Sequence, residues 1–225
     1  GYFVGSTVIG QGRHETRMYW SLRERSLTLD NRPVKKLTDY LGTLRTVVFC
    51  AEDLLLVKGP ARGRRRFMDL LLSQTHPLYL PLLQRYTQAL KSRNALLKQN
   101  FIDPNAIESF SKELIAAGNE IMKLRSALLP AFIPHAVAAH GRIASGETLQ
   151  MRYCRSVKAD FAVELAQSRE REHVCRATVI GPHRDDLELL VGDKAAAQFC
   201  SEGQKRTIAT ALKMAQADYL TELHG

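Results

Sequence analysis

Ser201-Glu202-Gly203-Gln204-Lys205-Arg206 is the strongest local signal in the sequence. Ser201 and Gln204 have the spacing of a capping box, in which the hydroxyl accepts from the N3 amide and the Gln side chain reaches back. Ile208, Ala211, Leu212, Ala215, Tyr219 and Leu220 follow on one helical face, which predicts a helix from just after Ser201 to about Leu223. Gly203 in the first turn costs roughly 1 kcal/mol against Ala. A glycine makes physical sense there if something must approach the backbone closely. Free amides and the positive end of the helix dipole form an anion site, and a phosphate is its natural occupant. The same residues also suit an ordinary capped helix.

Gly181-Pro182-His183-Arg184-Asp185-Asp186 packs a titratable His, a fixed cation and two carboxylates into one turn. His183-Arg184-Asp185 looks like a kinase catalytic loop, but Leu190 stands where that loop needs Asn, and no glycine-rich loop precedes it. A metal hydrolase built on His183, Asp185 and Asp186 lacks partner ligands elsewhere. Taken alone, the segment is a charged turn. The third signal is Lys58-Gly59-Pro60-Ala61-Arg62-Gly63-Arg64-Arg65-Arg66, with five cations in nine residues at a helix start. They oppose the helix dipole, so they need acidic neighbours (Asp69, or Glu52 with Asp53) or a bound polyanion. The cluster reads as a contact for a phosphate backbone.

Other patterns fail on inspection. Gly5 and Gly10 have P-loop spacing, yet Gln11-Gly12 replaces the Lys-Ser/Thr that holds phosphate and Mg²⁺. Cys50, Cys154, Cys175 and Cys200 are far apart with no C-x-x-C pair, so reduced thiols are expected rather than disulfides or zinc. His173 and Cys175 lie two apart, but no second ligand pair answers them.

The elements that must position these residues fall in a β, helix, β, helix order. The first fifty residues read as β-rich: Val4, Thr7, Val8 and Ile9, then a Gly10-Gln11-Gly12 turn, then Met18, Trp20 and Leu22 in period-2 alternation. Leu27, Leu29 and the turn Asp30-Asn31-Arg32-Pro33 continue a meander. A short helix is expected around Leu37–Leu41, and Val47-Val48-Phe49-Cys50 suits a fully buried strand. After Gly59-Pro60 the pattern becomes helical, with Phe67, Leu70 and Leu71 on one face. Leu83, Leu90 and Leu97 then repeat every seven residues beside a Tyr79, Tyr86 and Arg93 seam. Asp103 and Pro104 offer an N-cap and a first helical residue. Ile107, Phe110, Leu114, Ala117, Ile121, Leu124 and Leu128 form an a/d heptad stripe. Two such helices joined by a short turn make an antiparallel hairpin, either a short coiled-coil arm or part of a plain bundle. Leu149, Met151 and Tyr153 alternate as a strand, a helix lies around Phe161–Leu165, and Thr178-Val179-Ile180 and Leu187-Leu189-Val191 read as strands.

The chain has 225 residues, 45% of them hydrophobic, and a net charge of +9. That is ample for a core, and an excess of positive charge of this size points to polyanionic partners, nucleic acid first. The sequence starts without Met or a visible secretion signal. Its most apolar stretch, Leu128 to Ala139, is broken by Pro130, Pro134 and His135 and falls short of the roughly 20 apolar residues of a membrane span. A soluble, cytoplasmic protein is expected.

Together these segments resemble the RecF family. The pattern runs Glu52-Asp53-Leu54, Leu56-Val57-Lys58-Gly59, Arg64-Arg65-Arg66-Phe67, Leu72-Ser73-Gln74, Pro77, Tyr79-Leu80 and Arg93-Asn94-Ala95-Leu96-Leu97-Lys98. It continues with Gly181 to Leu187, then Ser201 to Arg206 followed by Ala211-Leu212-Lys213, while Gly1 to Pro33 match only in outline. The resemblance implies an α/β, more narrowly α+β, piece of an ABC-type ATPase head related to the SMC proteins. Residues 1–57 would be a β-rich remnant of lobe I, 58–177 a helical lobe II with a short antiparallel coiled-coil arm, and 178–225 a strand pair with the signature-motif helix.

In that family two heads sandwich ATP, with Mg²⁺, and the signature motif of one contacts the γ-phosphate held by the other. Carried over, Ser201 and Gly203 would touch that phosphate, Gln204 and Arg206 would support the loop or dimer contact, and Glu52 would sit near the Q-loop position. His183, Arg184, Asp185 and Asp186 would lie near the nucleotide-dependent interface, and Lys58, Arg62, Arg64, Arg65 and Arg66 are DNA-binding candidates. Implied partners are double- and single-stranded DNA, a second copy in an ATP-dependent homodimer, and RecO and RecR. The setting would be DNA damage repair, recombination, replication and the SOS response. Ala51 departs from the family's usual Pro, and Glu202 from its common Gln. Walker A is expected before Gly1 and Walker B after Gly225, so these residues alone should not hydrolyse ATP. The alternative is a non-enzymatic basic helical module that holds nucleic acid.

Overall fold

The structure, a computed structural model, describes residues 2–9, 13–34, 45–101, 103–144, 146 and 148–224. The expected Gly10-Gln11-Gly12 turn and the short helix around Leu37–Leu41 lie outside the described residues. The chain divides into two units, Gly1–Thr46 and Val47–Gly225.

The first unit is the expected meander. Strands β1 (Tyr2–Ile9), β2 (Arg13–Trp20), β3 (Arg25–Leu29) and β4 (Arg32–Pro33) pair antiparallel in chain order. β1 and β2 run in register from Tyr2↔Trp20 to Ile9↔Arg13. Asp30 and Asn31 turn the chain at φ 51° and 61°, the left-handed conformation that a tight hairpin demands and that Asp and Asn tolerate. The Asp30 side chain also accepts from the Glu15 amide at 2.8 Å. Met18 and Trp20 alternate as expected but are exposed.

In the second unit a 3₁₀ turn (Ala51–Leu54) leads to α1 (Leu55–Lys58), α2 (Ala61–Thr75), α3 (Tyr79–Leu97) and α4 (Pro104–Ile143). Then come β5 (Leu149–Cys154), α5 (Phe161–Gln167), α6 (Arg169–Cys175) and a 3₁₀ turn (Pro182–Arg184). β6 (Asp186–Val191), β7 (Lys194–Ala195), α7 (Ala196–Phe199) and α8 (Glu202–His224) complete it. Two sequence expectations fail here. Residues 47–50 are not a buried strand: no partner strand lies alongside among the described residues, and Val48 and Phe49 are exposed. Thr178-Val179-Ile180 is not a strand either, because Thr178 spends its amide and hydroxyl on the Asn94 side chain instead of a sheet ladder.

The helices form where their signals stand. Asp103 caps α4 by accepting from the Asn105 amide at 2.9 Å, with Pro104 as the first helical residue. α3 and α4 make the antiparallel hairpin: Arg85 meets Glu113, and Arg93 meets Ser111. The buried seam of α3 is Tyr79, Tyr86 and Arg93, while Leu83 and Leu90 are only partly covered. α4 presents Leu114, Ala117, Ile121, Leu128 and Phe132 to the core and continues through Pro130 and Pro134. Gly118 permits a close crossing, since a Cβ there would lie 2.6 Å from the Phe161 ring. β5, β6 and β7 make a small antiparallel sheet whose Leu149, Met151, Leu187, Leu189 and Val191 face inward. Ile208 and Leu212 anchor α8 in the same core. No helix of the described residues is long and apolar enough to cross a membrane.

Candidate functional site

The amino end of α8 has the expected geometry. The Gln204 amide donates to Ser201 Oγ at 3.2 Å, and the Ser201 amide donates to Gln204 Oε1 at 2.8 Å. Ser201, Glu202, Gly203, Gln204 and Arg206 are all exposed, so the capped end faces water. A Cβ on Gly203 would meet only Ser201 Oγ, at 3.9 Å. Glu202 adds negative charge to this end but shares it with Lys58 at 3.6 Å and Lys205 at 3.5 Å.

Glu52 is exposed in the 3₁₀ turn before α1. Its neighbour Asp53 accepts from the Cys50 amide at 2.9 Å and pairs with Lys213 of α8 at 3.7 Å. Phe49, Asp53, Arg206 and Lys213 line a cavity of about 390 Å³ between this turn and α8. Two segments more than a hundred residues apart in sequence are thus brought together.

The Gly181–Asp186 turn is a clamp point. Asp185 is fully buried: Oδ1 accepts from the Ser156 amide at 2.8 Å, and Oδ2 accepts from Tyr153 and from Arg125 at 3.4 Å. Arg125 also donates to Pro182 O and to Asp69 Oδ1, both at 2.8 Å. Arg64 forks onto Asp186 at 2.7 and 2.9 Å and donates to Gly59 O at 2.9 Å, closing the end of α1. Burial alone would raise the Asp186 carboxyl, but Arg64 more than offsets it and holds the group below its ordinary value.

His183 has both ring nitrogens engaged. Thr178 O, at 3.1 Å, can only accept, so Nε2 carries the proton and Nδ1 accepts from the Tyr86 hydroxyl at 2.6 Å. Burial leads the effects that push His183 down to about 4, so it is neutral near pH 7. Gly181 holds φ 129°, and a Cβ there would lie 2.7 Å from the Tyr86 hydroxyl. The metal-hydrolase alternative therefore lacks free ligands in this turn: His183, Asp185 and Asp186 are spent on protein partners. Among the described residues no group of three His, Cys, Asp or Glu side chains could hold a metal ion.

The basic cluster divides. Arg64 is fastened to Asp186, and Arg65 donates to Asp185 O at 2.6 Å. Burial and then the nearby Arg125 pull the Arg65 pKa down. The compensation expected from Asp69, Glu52 and Asp53 comes instead from the Asp185–Asp186 segment. Arg62 and Arg66 stay exposed with no carboxylate partner among the described residues, and Lys58 leans on Glu202.

No protein-family model matches the chain. The DNA replication and repair protein RecF of Lactococcus lactis subsp. cremoris (strain MG1363) is 41% identical over 193 residues, 84% of this chain and 54% of that protein. The protein of the same description from Synechococcus sp. (strain JA-2-3B'a(2-13)) is 36% identical over 219 residues, 88% of this chain and 57% of its own. Solved structures of the recombination mediator protein RecF-ATPrS and RecF-ATP in the RecFOR pathway both align at TM-score 0.87. They are 24% and 25% identical and cover 99% and 94% of this chain, which matches 64% and 61% of theirs. The chain belongs to the RecF family. It spans a little over half the length of the curated relatives it matches.

Within this RecF-family fold, the residues that sequence reasoning missed are buried ones. Arg93 forks onto Glu172 at 2.8 and 2.6 Å and donates to Ser111 and Thr178. Arg125 joins α2, α4 and the Gly181–Asp186 turn. A signal for Arg125 did exist: it falls four residues after Ile121 and three before Leu128, on the apolar stripe of its own helix.

Proposed function

We propose that this chain is part of an ATP-dependent, RecF-like DNA-binding protein acting in recombinational repair of gapped or stalled replication DNA. Its share of the work is to complete a partner subunit's ATP site in trans. The observation that carries this reading is the bare amino end of α8, where the space beside Gly203 is open. Among the described residues no packing calls for glycine at that position. The helix gives up roughly 1 kcal/mol relative to Ala, which makes sense if a phosphate must come close to the amides. Ser201 and Gly203 would contact the γ-phosphate. Gln204 and Arg206 would hold the loop, and Glu52 would report on nucleotide and Mg²⁺ from the 3₁₀ turn before α1.

ATP is supported by the likeness to the RecF-ATP structure, and the RecFOR pathway of that structure supports RecO and RecR as partners. DNA replication and repair comes from the described role of the relatives. On the same reading, residues 1–57 belong to lobe I, 58–177 to a lobe II whose α3–α4 hairpin is a shortened coiled-coil arm, and 178–225 to the signature-motif segment.

In the intact protein, Ser201→Arg should abolish ATP-driven dimerisation, followed by sedimentation, while nucleotide affinity stays within about twofold. Undiminished dimerisation of that variant would overturn the trans contact. A second reading, a non-enzymatic basic module, is favoured by the unpaired Arg62 and Arg66. It requires DNA binding that ignores ATP.

A further inference from the structure

Thr178 is a buried junction. Its amide and hydroxyl both bond to Asn94 Oδ1 at 2.8 Å, and its hydroxyl accepts from Arg93 at 2.8 Å. Its carbonyl accepts from His183 Nε2 at 3.1 Å and from Arg184 at 3.3 Å. Two regions distant in sequence meet at this one residue: α3, and the continuous stretch that runs from the end of α6 through the Gly181–Asp186 turn.

Four exposed cations stand on the segments that meet at this junction. Lys91 and Lys98 stand three residues before and four after Asn94, on its side of α3. Arg176 lies two residues before Thr178, and Arg184 reaches the Thr178 carbonyl. All four are exposed, and among the described residues no carboxylate pairs with any of them. Glu172, the inward-facing acid on α6, is consumed by Arg93.

Two further observations single out the arginines. Arg176 caps α6 at φ 49° and ψ 36°, a left-handed conformation in which glycine is the cheap choice. A long cation kept there at a cost of about 1 kcal/mol is sensible if its head group is used. Within the His183–Asp186 segment, Arg184 alone is exposed, its neighbours being turned to protein partners.

We propose that Lys91, Lys98, Arg176 and Arg184 form a second nucleic-acid surface, one that grips the phosphate backbone of duplex DNA and is separate in sequence from the Arg62–Arg66 cluster. It rests on the proposed DNA-binding function and extends it to residues which that function does not yet include. A polyanion is the favoured occupant because the four cations are exposed with no carboxylate partner among the described residues, the chain carries +9, and counterion release rewards closely spaced phosphates.

The test uses the full-length protein with Lys91→Gln, Lys98→Gln, Arg176→Gly and Arg184→Gln combined, titrated with duplex DNA at several salt concentrations. The plot of log affinity against log salt should be shallower by about 3.6, at near 0.9 for each of four phosphates no longer neutralised, and affinity should fall by about tenfold or more. Thermal melts should show the variant as stable as wild type or more so, since Arg176→Gly relieves the left-handed cap. An unchanged slope and affinity, with normal salt dependence in wild type, overturns this surface and leaves the DNA-binding function intact. A wild-type protein with no salt-dependent duplex binding removes the DNA-binding function itself, and this proposal with it. A variant that keeps DNA but no longer binds an acidic protein partner rejects the nucleic-acid assignment.

Discussion

Gly203 sets stability against use at a single position. Replacing it with Ala adds a helix-favouring side chain into open space, so Gly203→Ala should raise the unfolding free energy by roughly 1 kcal/mol in a urea titration. The same methyl group would stand between the α8 amides and an incoming phosphate. ATP-driven dimerisation of the intact variant should therefore weaken as stability rises, and if both rise together the open amino end has no role. His183 makes a pH prediction. Its folded value of about 4 lies below the ordinary 6.5, so between those values the unfolded chain binds a proton that the folded chain refuses. Stability should be fully present above pH 6.5 and fall towards pH 4, by at most about 3 kcal/mol from this group. Melting wild type and His183→Gln side by side across that window should show the steeper loss in wild type, and parallel curves would contradict the assignment.

At the scale of elements, Arg125 is the residue whose loss should be felt most widely. Its guanidinium holds Asp69 of α2, Asp185 and the Pro182 carbonyl, and it is almost wholly buried. Arg125→Met would leave two carboxylates without their cation in the interior, at a cost of about 3–5 kcal/mol measurable by chemical denaturation. A loss below about 1 kcal/mol, the net worth of an ordinary hydrogen bond, would mean that Tyr79, Tyr153 and the Ser156 amide suffice.

Much of the element order was legible in the sequence because helix ends announce themselves chemically: Asp103-Pro104 before α4, and Ser201 with Gln204 before α8. The β5 strand was legible from Leu149, Met151 and Tyr153, since one inward face imposes strict alternation. Val47–Cys50 misled because an apolar run reads as a strand only if neighbouring strands exist to pair with it. Thr178–Ile180 misled for the opposite reason: its polar groups found a side-chain partner, Asn94, at a distance no local pattern can reveal. The helix runs on through Pro130 and Pro134, well past Leu128 where the heptad stripe read from the sequence ended.

At the scale of the whole molecule, the candidate site was legible in composition but not in arrangement. Net charge pointed towards a polyanionic partner, and the run from Lys58 to Arg66 read as its docking point. Folding instead turned Arg64 and Arg65 inward as mounts for the Asp185–Asp186 segment, and gathered Lys91, Lys98, Arg176 and Arg184 from three places. A linear scan weighs cations by proximity in sequence, whereas a surface field depends on which of them lack acids nearby in space.

The 40-residue helix α4 has a mechanical consequence. At 1.5 Å per residue it is about 60 Å long, meeting α3 at Ser111 and Glu113 near its start and α8 at His135 and Arg142 towards its far end. Pivoted at its middle, a rod of that length turns a tilt of about 5° into opposite excursions of roughly 2.5 Å at its two ends. If the helix stays rigid through Pro130 and Pro134, small rearrangements beside α8 would reappear, inverted, at the hairpin tip.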